Sequence, residues 1–246
     1  MSCLGAFIGL RCTARARSFH GFERLRWLLL GGVSIGVTGI WLMHFIAMLG
    51  YTIPGETIHY NVPVTILSLL VAVGIVCVGL VIVGFGPEGY APLLFGGLIT
   101  GFGVAAMHYL GMAAMRMPAR ITYGGGLVIL SVVIAVVAAT AALWAAVRLD
   151  GVGPTLIASL IMGAAVSSMH YIGMAAMHVF RSAVPSGMVM GGAGGATAES
   201  FLLPLVIGIT VISFGLTAAM ALSASAEEVK YDRALMEQIQ TSRSHW

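Results

Sequence analysis

The chain has 246 residues, 59% of them hydrophobic and 9% charged, with a mean hydropathy of +1.00. A water-soluble domain carries about 25% charged residues, so this chain cannot cover a wetted surface and reads as an integral membrane protein. A net charge of +3 gives no support to nucleic-acid binding, and Cys3, Cys12 and Cys77 lack the grouping of a disulfide framework or zinc cluster.

In chain order, "MSCLGAFIGL" is apolar but only ten residues long, and "RCTARAR" closes it. Positive charges follow the apolar run, which is the reverse of a signal peptide. We read it as the inner half of a first helix that either ends mid-membrane or starts upstream of Met1. Charge-free stretches then run 27–55, 57–87, 89–115, 121–147, 151–180 and 200–226. Each matches the roughly 20 apolar residues that cross a bilayer once as helix. None alternates like a membrane barrel strand. The fold class is an all-α polytopic transmembrane bundle of seven helices, the first cut short. The spanning domain is placed at 1–225 and a short cytoplasmic tail at 226–246.

Basic residues set the orientation. Arg11, Arg15, Arg17, Arg24 and Arg26 fall in the first loop, placed inside with Arg148, Lys230, Arg233 and Arg243. Arg116, Arg120 and Arg181 fall outside, so the bias is nine to three. The expected layout has the N-terminus outside and the C-terminus in the cytoplasm of a bacterial plasma membrane.

Helices two, four and six carry MHFIAM (43–48), MHYLGMAAM (107–115) and MHYIGMAAM (169–177). Their histidines, His44, His108 and His170, share one depth in the outer third of the membrane. Spacings of 64 and 62 residues make the repeating unit two helices with their loops. Pro54 and Pro118 each follow their histidine by ten residues, and Tyr60–Ser68 and Tyr123–Ser131 repeat a spacing of eight. The third copy decays into a Gly/Ala-rich stretch, 182–199, read as an outer loop. Gly36 and Gly39, Gly101 and Gly103, and Gly163 and Ala165 precede the motifs, and small residues let membrane helices approach closely.

Residues four apart on a helix are offset by about 40° and seven apart by about 20° the other way. The spacing therefore predicts one stripe for His108, Met112 and Met115, another for His170, Met174 and Met177, and a shorter one for His44 and Met48. Met43, Met107 and Met169 lie about 100° round from their histidines. Imidazole with thioether suits a soft or borderline metal, and copper above all. No acidic residue at that depth offers oxygen to a hard cation. A methionine stripe by itself is ordinary packing. Three ionisable residues inside a membrane at one depth are a functional signal. The expected ligands are His44, Met48, His108, Met112, His170 and Met174, with Met43, Met107, Met169, Met115 and Met177 in supporting positions. His59 and His178 read as interfacial.

These motifs resemble those of the MHYT-domain family, membrane sensor modules of bacteria. The resemblance covers about residues 1–225. Copy one departs from it in carrying Phe45 where the name has tyrosine. It implies a sensor that binds copper through the Met and His residues and detects a diatomic gas such as oxygen, carbon monoxide or nitric oxide. Many members continue into diguanylate cyclase, phosphodiesterase or histidine kinase domains. Here only "AEEVKYDRALMEQIQTSRSHW" follows, so signalling is expected to pass to a cytoplasmic partner through the tail, where Leu222, Val229 and Met236 recur at seven residues. The competing reading is copper transport or delivery. No enzyme is expected, since no paired carboxylates and no nucleophile with its base appear. A retinal pigment needs a lysine within a span, and the single lysine is Lys230.

Overall fold

A computed structural model describes residues 1–53, 58–87, 89–117, 119–181 and 196–222. Pro54, Pro118, most of the Gly/Ala-rich stretch and the whole tail, including Val229 and Met236, lie outside the described residues, as does the expected boundary at 225. Among the described residues there are seven helices: α1 Ser2–Ala16, α2 Gly21–Leu49, α3 Val62–Phe85, α4 Tyr90–Ala113, α5 Gly125–Arg148, α6 Val152–Ala175 and α7 Leu203–Leu222. Helices α2 to α6 are each long and apolar enough to cross a membrane. The chain divides into compact units at Met1–Thr210 and from Val211 on. In the second, the described residues run to Leu222 as helix.

Three expectations are corrected. Helix α1 does not stop at Leu10; it runs to Ala16, so Arg11 and Arg15 are helical and not in a loop. The reason is local: "RCTARA" contains neither glycine nor proline, and alanine and arginine are strong helix formers. At 15 residues it is still only about 22 Å long, short of a hydrocarbon core of about 30 Å. Helix α2 is not uniformly α-helical: Ser34–Leu42 is π-helical. Third, the span expected at 121–147 starts later, because Ala119–Tyr123 is a strand.

The wide π turns place small residues where backbones meet. A methyl group on Gly36 would lie 2.8 Å from the Cα of Val73 on α3. One on Gly5 of α1 would meet the backbone of Gly39, and one on Gly163 of α6 would meet the Cys3 thiol. Helix α1 is thereby wedged between α2 and α6, burying Ala6, Ile8, Leu10 and Cys12. Close backbone approach replaces the hydrophobic effect as the packing force in lipid.

Short strands connect the helices at the histidine end: β1 His59–Tyr60, β2 Met115–Arg116, β3 Ala119–Tyr123, β4 Met177–Arg181 and β5 Ala196–Thr197. Strand β1 lies between β2 and β5, and β3 pairs with β4, all antiparallel. The pairing repeats with the sequence. Tyr60 stands opposite Met115, and Tyr123 stands opposite Met177. The next residue donates its N–H to a helix end: Asn61 to the Ala114 carbonyl and Gly124 to the Ala176 carbonyl, both at 2.8 Å. These bonds satisfy carbonyls that a helix terminus otherwise leaves open.

The two tyrosine–serine spacings have different partners. Ser131 Oγ lies 2.7 Å from the Tyr109 hydroxyl. Phe45, in the matching position of copy one, has no hydroxyl, and Trp41 Nε1 donates to Ser68 Oγ at 3.1 Å instead. Both groups are fully buried. Trp41→Phe is expected to destabilise the bundle by about 1–2 kcal/mol through the lost bond and the vacated volume, read as denaturant or thermal unfolding in detergent. Phe45→Tyr should also destabilise it, by about 1–3 kcal/mol, because it adds a hydroxyl to a fully buried ring while Ser68 is already taken up by Trp41.

Candidate metal centre

Helices α2, α4 and α6 carry the three histidines to one point. His44, His108 and His170 are each no more than 1% exposed. His44 Nδ1 lies 3.0 Å from His170 Nδ1 and 3.2 Å from His108 Nδ1. One ring nitrogen from each falls within 4.8 Å of the others. The rings stand nearly perpendicular in every pair, at 85–89°, with centroids 4.9–5.1 Å apart. Each also meets the aromatic residue that follows it edge-on: Phe45 at 4.8 Å, Tyr109 at 4.9 Å and Tyr171 at 5.2 Å.

Two glycines permit this convergence. A methyl group on Gly111 would run into His44 Nε2, and one on Gly173 into His108 Nε2. Each glycine lies three residues past the histidine of its own helix and beneath the histidine of the preceding copy. In copy one the same position is Ala47. Above the trio, Phe45 packs against Tyr60, centroids 6.2 Å apart. Tyr60 is buried in β1, outside the spanning helices, and burial pushes its hydroxyl up to about 12. It therefore remains neutral.

The donor set can be tested against a cation. A neutral imidazole has one N–H and one acceptor nitrogen. If His44 Nδ1 donates to one neighbour, it has no lone pair left for the other, so hydrogen bonding satisfies only one of its two close contacts. Meanwhile Nε2 of His44 and of His108 are buried with no partner among the described residues. A cation among the Nδ1 atoms would use all three lone pairs at once. Nitrogens about 2.0 Å from a tetrahedral ion sit about 3.3 Å apart. The two spacings from His44 Nδ1, to His170 and to His108, fall up to a few tenths of an ångström short of that, within the reach of a small ring rotation. The trio fits a soft or borderline metal.

The methionines divide. Met48, Met107, Met112 and Met169 are almost fully buried, while Met43 and Met174 are half-buried. Met115 and Met177 do not share the helical stripe predicted for them. Helices α4 and α6 end at Ala113 and Ala175, and both methionines lie in strands, β2 and β4. The cause is the Asn61 and Gly124 bonds to the Ala114 and Ala176 carbonyls, the residues between each helix and its methionine. His59 is half-buried in β1, and His178 is exposed in β4.

Sequence reasoning missed the space next to the trio. A cavity of about 50 Å³ is lined by α2 to α6. Its walls include Ile40, Val104 and Val166, each one helical turn before a motif histidine. Met169 and Met162 also face it, and Thr100 supplies a hydroxyl that is buried without a partner among the described residues. A signal for it was present: all three copies carry a β-branched apolar residue four before the histidine.

Long apolar helices, an internal repeat and a shared buried histidine centre define a multi-pass membrane protein built on duplicated helix pairs. Residues 38–97 and 101–159 match the MHYT model, described as the bacterial signalling protein N-terminal repeat. The chain belongs to the MHYT family. Two copies fall in the match; the His170 copy lies beyond it, and the structure brings it to the same point.

The chain is 38% identical over 216 residues to the bifunctional diguanylate cyclase/cyclic di-GMP phosphodiesterase MucR of Pseudomonas aeruginosa, covering 86% of this chain and 30% of that protein. It is 35% identical over 243 residues to the cyclic di-GMP phosphodiesterase NbdA of the same organism, covering 96% of this chain and 30% of that protein. The signaling protein YkoW of Bacillus subtilis is 29% identical over 203 residues, 77% of this chain and 24% of that protein. The chain thus spans under a third of these relatives. No solved structure matches it.

Proposed function

We propose that this is a sensory membrane module that holds copper among His44, His108 and His170 and reports a diatomic gas or a change of redox state to a cytoplasmic signalling partner. The observation that carries the reading is the meeting of three buried imidazoles, with His44 Nδ1 3.0 Å from His170 Nδ1 and 3.2 Å from His108 Nδ1 and one ring nitrogen of each within 4.8 Å of the others. Methionines within one turn favour copper, since thioethers prefer Cu(I). Bound copper supplies a redox couple and an open coordination position. The chain's own residues fix the rings, exclude water through Tyr60 and Phe45, and keep an apolar space beside them. A small apolar gas partitions into such a space more readily than an ion does.

The family's signalling relatives support an output in cyclic dinucleotide turnover, carried by a partner or a fused domain and not by these helices. The bundle itself is read as non-enzymatic. Basic residues support a cytoplasmic face at the end opposite the histidines, where Arg17, Arg24, Arg26 and Arg148 cluster. On this reading the metal centre lies toward the outer face of a bacterial plasma membrane.

The test is copper content after expression with copper. The wild-type protein is expected to hold copper in a fixed ratio, and the His44→Ala/His108→Ala/His170→Ala variant to lose at least tenfold. Equal copper in both would sink the ligand assignment. Val104→Phe, which fills the cavity beside the trio, is expected to keep the copper and to slow the spectral response to carbon monoxide. An unchanged response would show that gas does not dwell there.

A further inference from the structure

A second cavity lies at the opposite end of the bundle, far from the histidines. It has a volume of about 530 Å³ and is bounded by the α1–α2 and α3–α4 turns and the end of α5. That size falls within the roughly 300–1,000 Å³ of small-molecule sites. Three guanidinium-bearing residues line it: Arg17, Arg24 and Arg148.

Their charges are unequally compensated. Arg17 is paired with Asp150 and donates to the Ala146 carbonyl at 2.6 Å. Arg24 stacks over the Phe85 ring at 5.4 Å, and its Nε is buried with no acceptor among the described residues. Arg148 is exposed and makes no ion pair among the described residues. A buried charged donor without an acceptor costs several times what an exposed one does. Two guanidiniums with no protein acceptor among the described residues line one cavity, and an anion with several oxygens would match them.

The geometry points to a phosphate-binding site at this end of the bundle, formed by Arg24 and Arg148 and braced by the Arg17–Asp150 pair. The planar guanidinium fork matches phosphate oxygens two at a time. The rim carries Tyr90, 81% exposed, and Trp144, 47% exposed. Aromatic residues of this kind mark the level of lipid headgroups. The phosphate can therefore come from an anionic lipid headgroup or from a soluble phosphate, and basic pockets between helix ends are a common lipid-headgroup site. Nothing in this site depends on the histidine centre.

Native mass spectrometry of the whole chain distinguishes the sources. Wild-type protein offered equal phosphatidylglycerol and phosphatidylcholine of matched chains is expected to retain the former at least tenfold better. Arg24→Gln/Arg148→Gln should abolish the preference. Arg24→Lys, which keeps the charge and loses the fork, should fall between. Inorganic pyrophosphate that displaces the lipid identifies the phosphate as the recognised group. Pyrophosphate that binds wild type where phosphatidylglycerol shows no preference assigns the site to a soluble phosphate. Wild type with no lipid preference and no pyrophosphate binding overturns the proposal, and this measurement does not depend on how any variant folds. Equal binding by wild type and the double glutamine variant overturns it as well.

Discussion

Gly111→Ala, the addition of one methyl group, is expected to cost at least tenfold in copper content and about 1–3 kcal/mol of stability. The new Cβ would lie 2.2 Å from His44 Nε2, well inside van der Waals contact. His44 is 1% exposed and boxed in by Phe45 and the other two imidazoles, so its ring cannot retreat without leaving the Nδ1 cluster. Overpacking a filled site costs about 1–3 kcal/mol, and each 1.4 kcal/mol in binding is tenfold. Gly173→Ala should behave alike through His108. Gly74→Ala is the control, since a methyl group there meets nothing within 4 Å. It should keep its copper and gain up to about 1 kcal/mol from helix propensity. The checks are metal analysis and thermal unfolding of purified protein. Wild-type copper and stability in Gly111→Ala would mean that His44 does not sit against that backbone.

The role of these glycines shows what a sequence can and cannot display. The histidines were legible because a repeat fixes relative depth: equal positions on three helices of like direction must share a layer. Their meeting at one point was only inferable, because rotation about each helix axis is set by packing and not by spacing. Gly111 and Gly173 were visible as letters of the motif. Their meaning needs a neighbour, since each serves the histidine of another copy. The stripe positions of Met115 and Met177 were misjudged for a similar reason. A seven-residue spacing puts Met115 on the stripe of His108 only while the helix continues, and the N–H of Asn61, more than fifty residues upstream, ends it.

Local chemistry misled in two further places. "RCTARA" read as a loop because charge is costly in lipid. Yet Arg15 lies over the Trp27 ring at 4.7 Å, so an aromatic face takes its guanidinium and the helix can continue. The π-helical stretch of α2 left no periodic signature, because Ser34–Leu42 is apolar nearly all round. Its buried Gly36 and Gly39 are the residues that a wider helix brings against Val73 and Gly5. Such a stretch one turn before His44 separates copy one from the other two, whose helices are regular. Small π segments concentrate at functional positions in helices.

Copper itself should stabilise the fold. A ligand that binds only the folded state adds RT ln(1 + [L]/Kd), about 2.7 kcal/mol at a hundredfold excess over Kd. For a domain of this size that corresponds to a rise of about 5–10 °C in Tm. The His44→Ala/His108→Ala/His170→Ala variant should show no rise. Calcium and magnesium should give none with either protein, because the trio has no carboxylate to offer a hard cation. Zinc is the instructive comparison. Three imidazoles alone bind zinc well, so a zinc shift reports the histidines and nothing more. Met48→Leu, Met112→Leu and Met174→Leu combined should leave the zinc shift intact and reduce the Cu(I) shift by about half or more, because only copper draws on thioether sulfur. Equal loss for both metals would mean that these methionines act by packing. No loss for either would remove them from the centre and leave a site made of histidine alone.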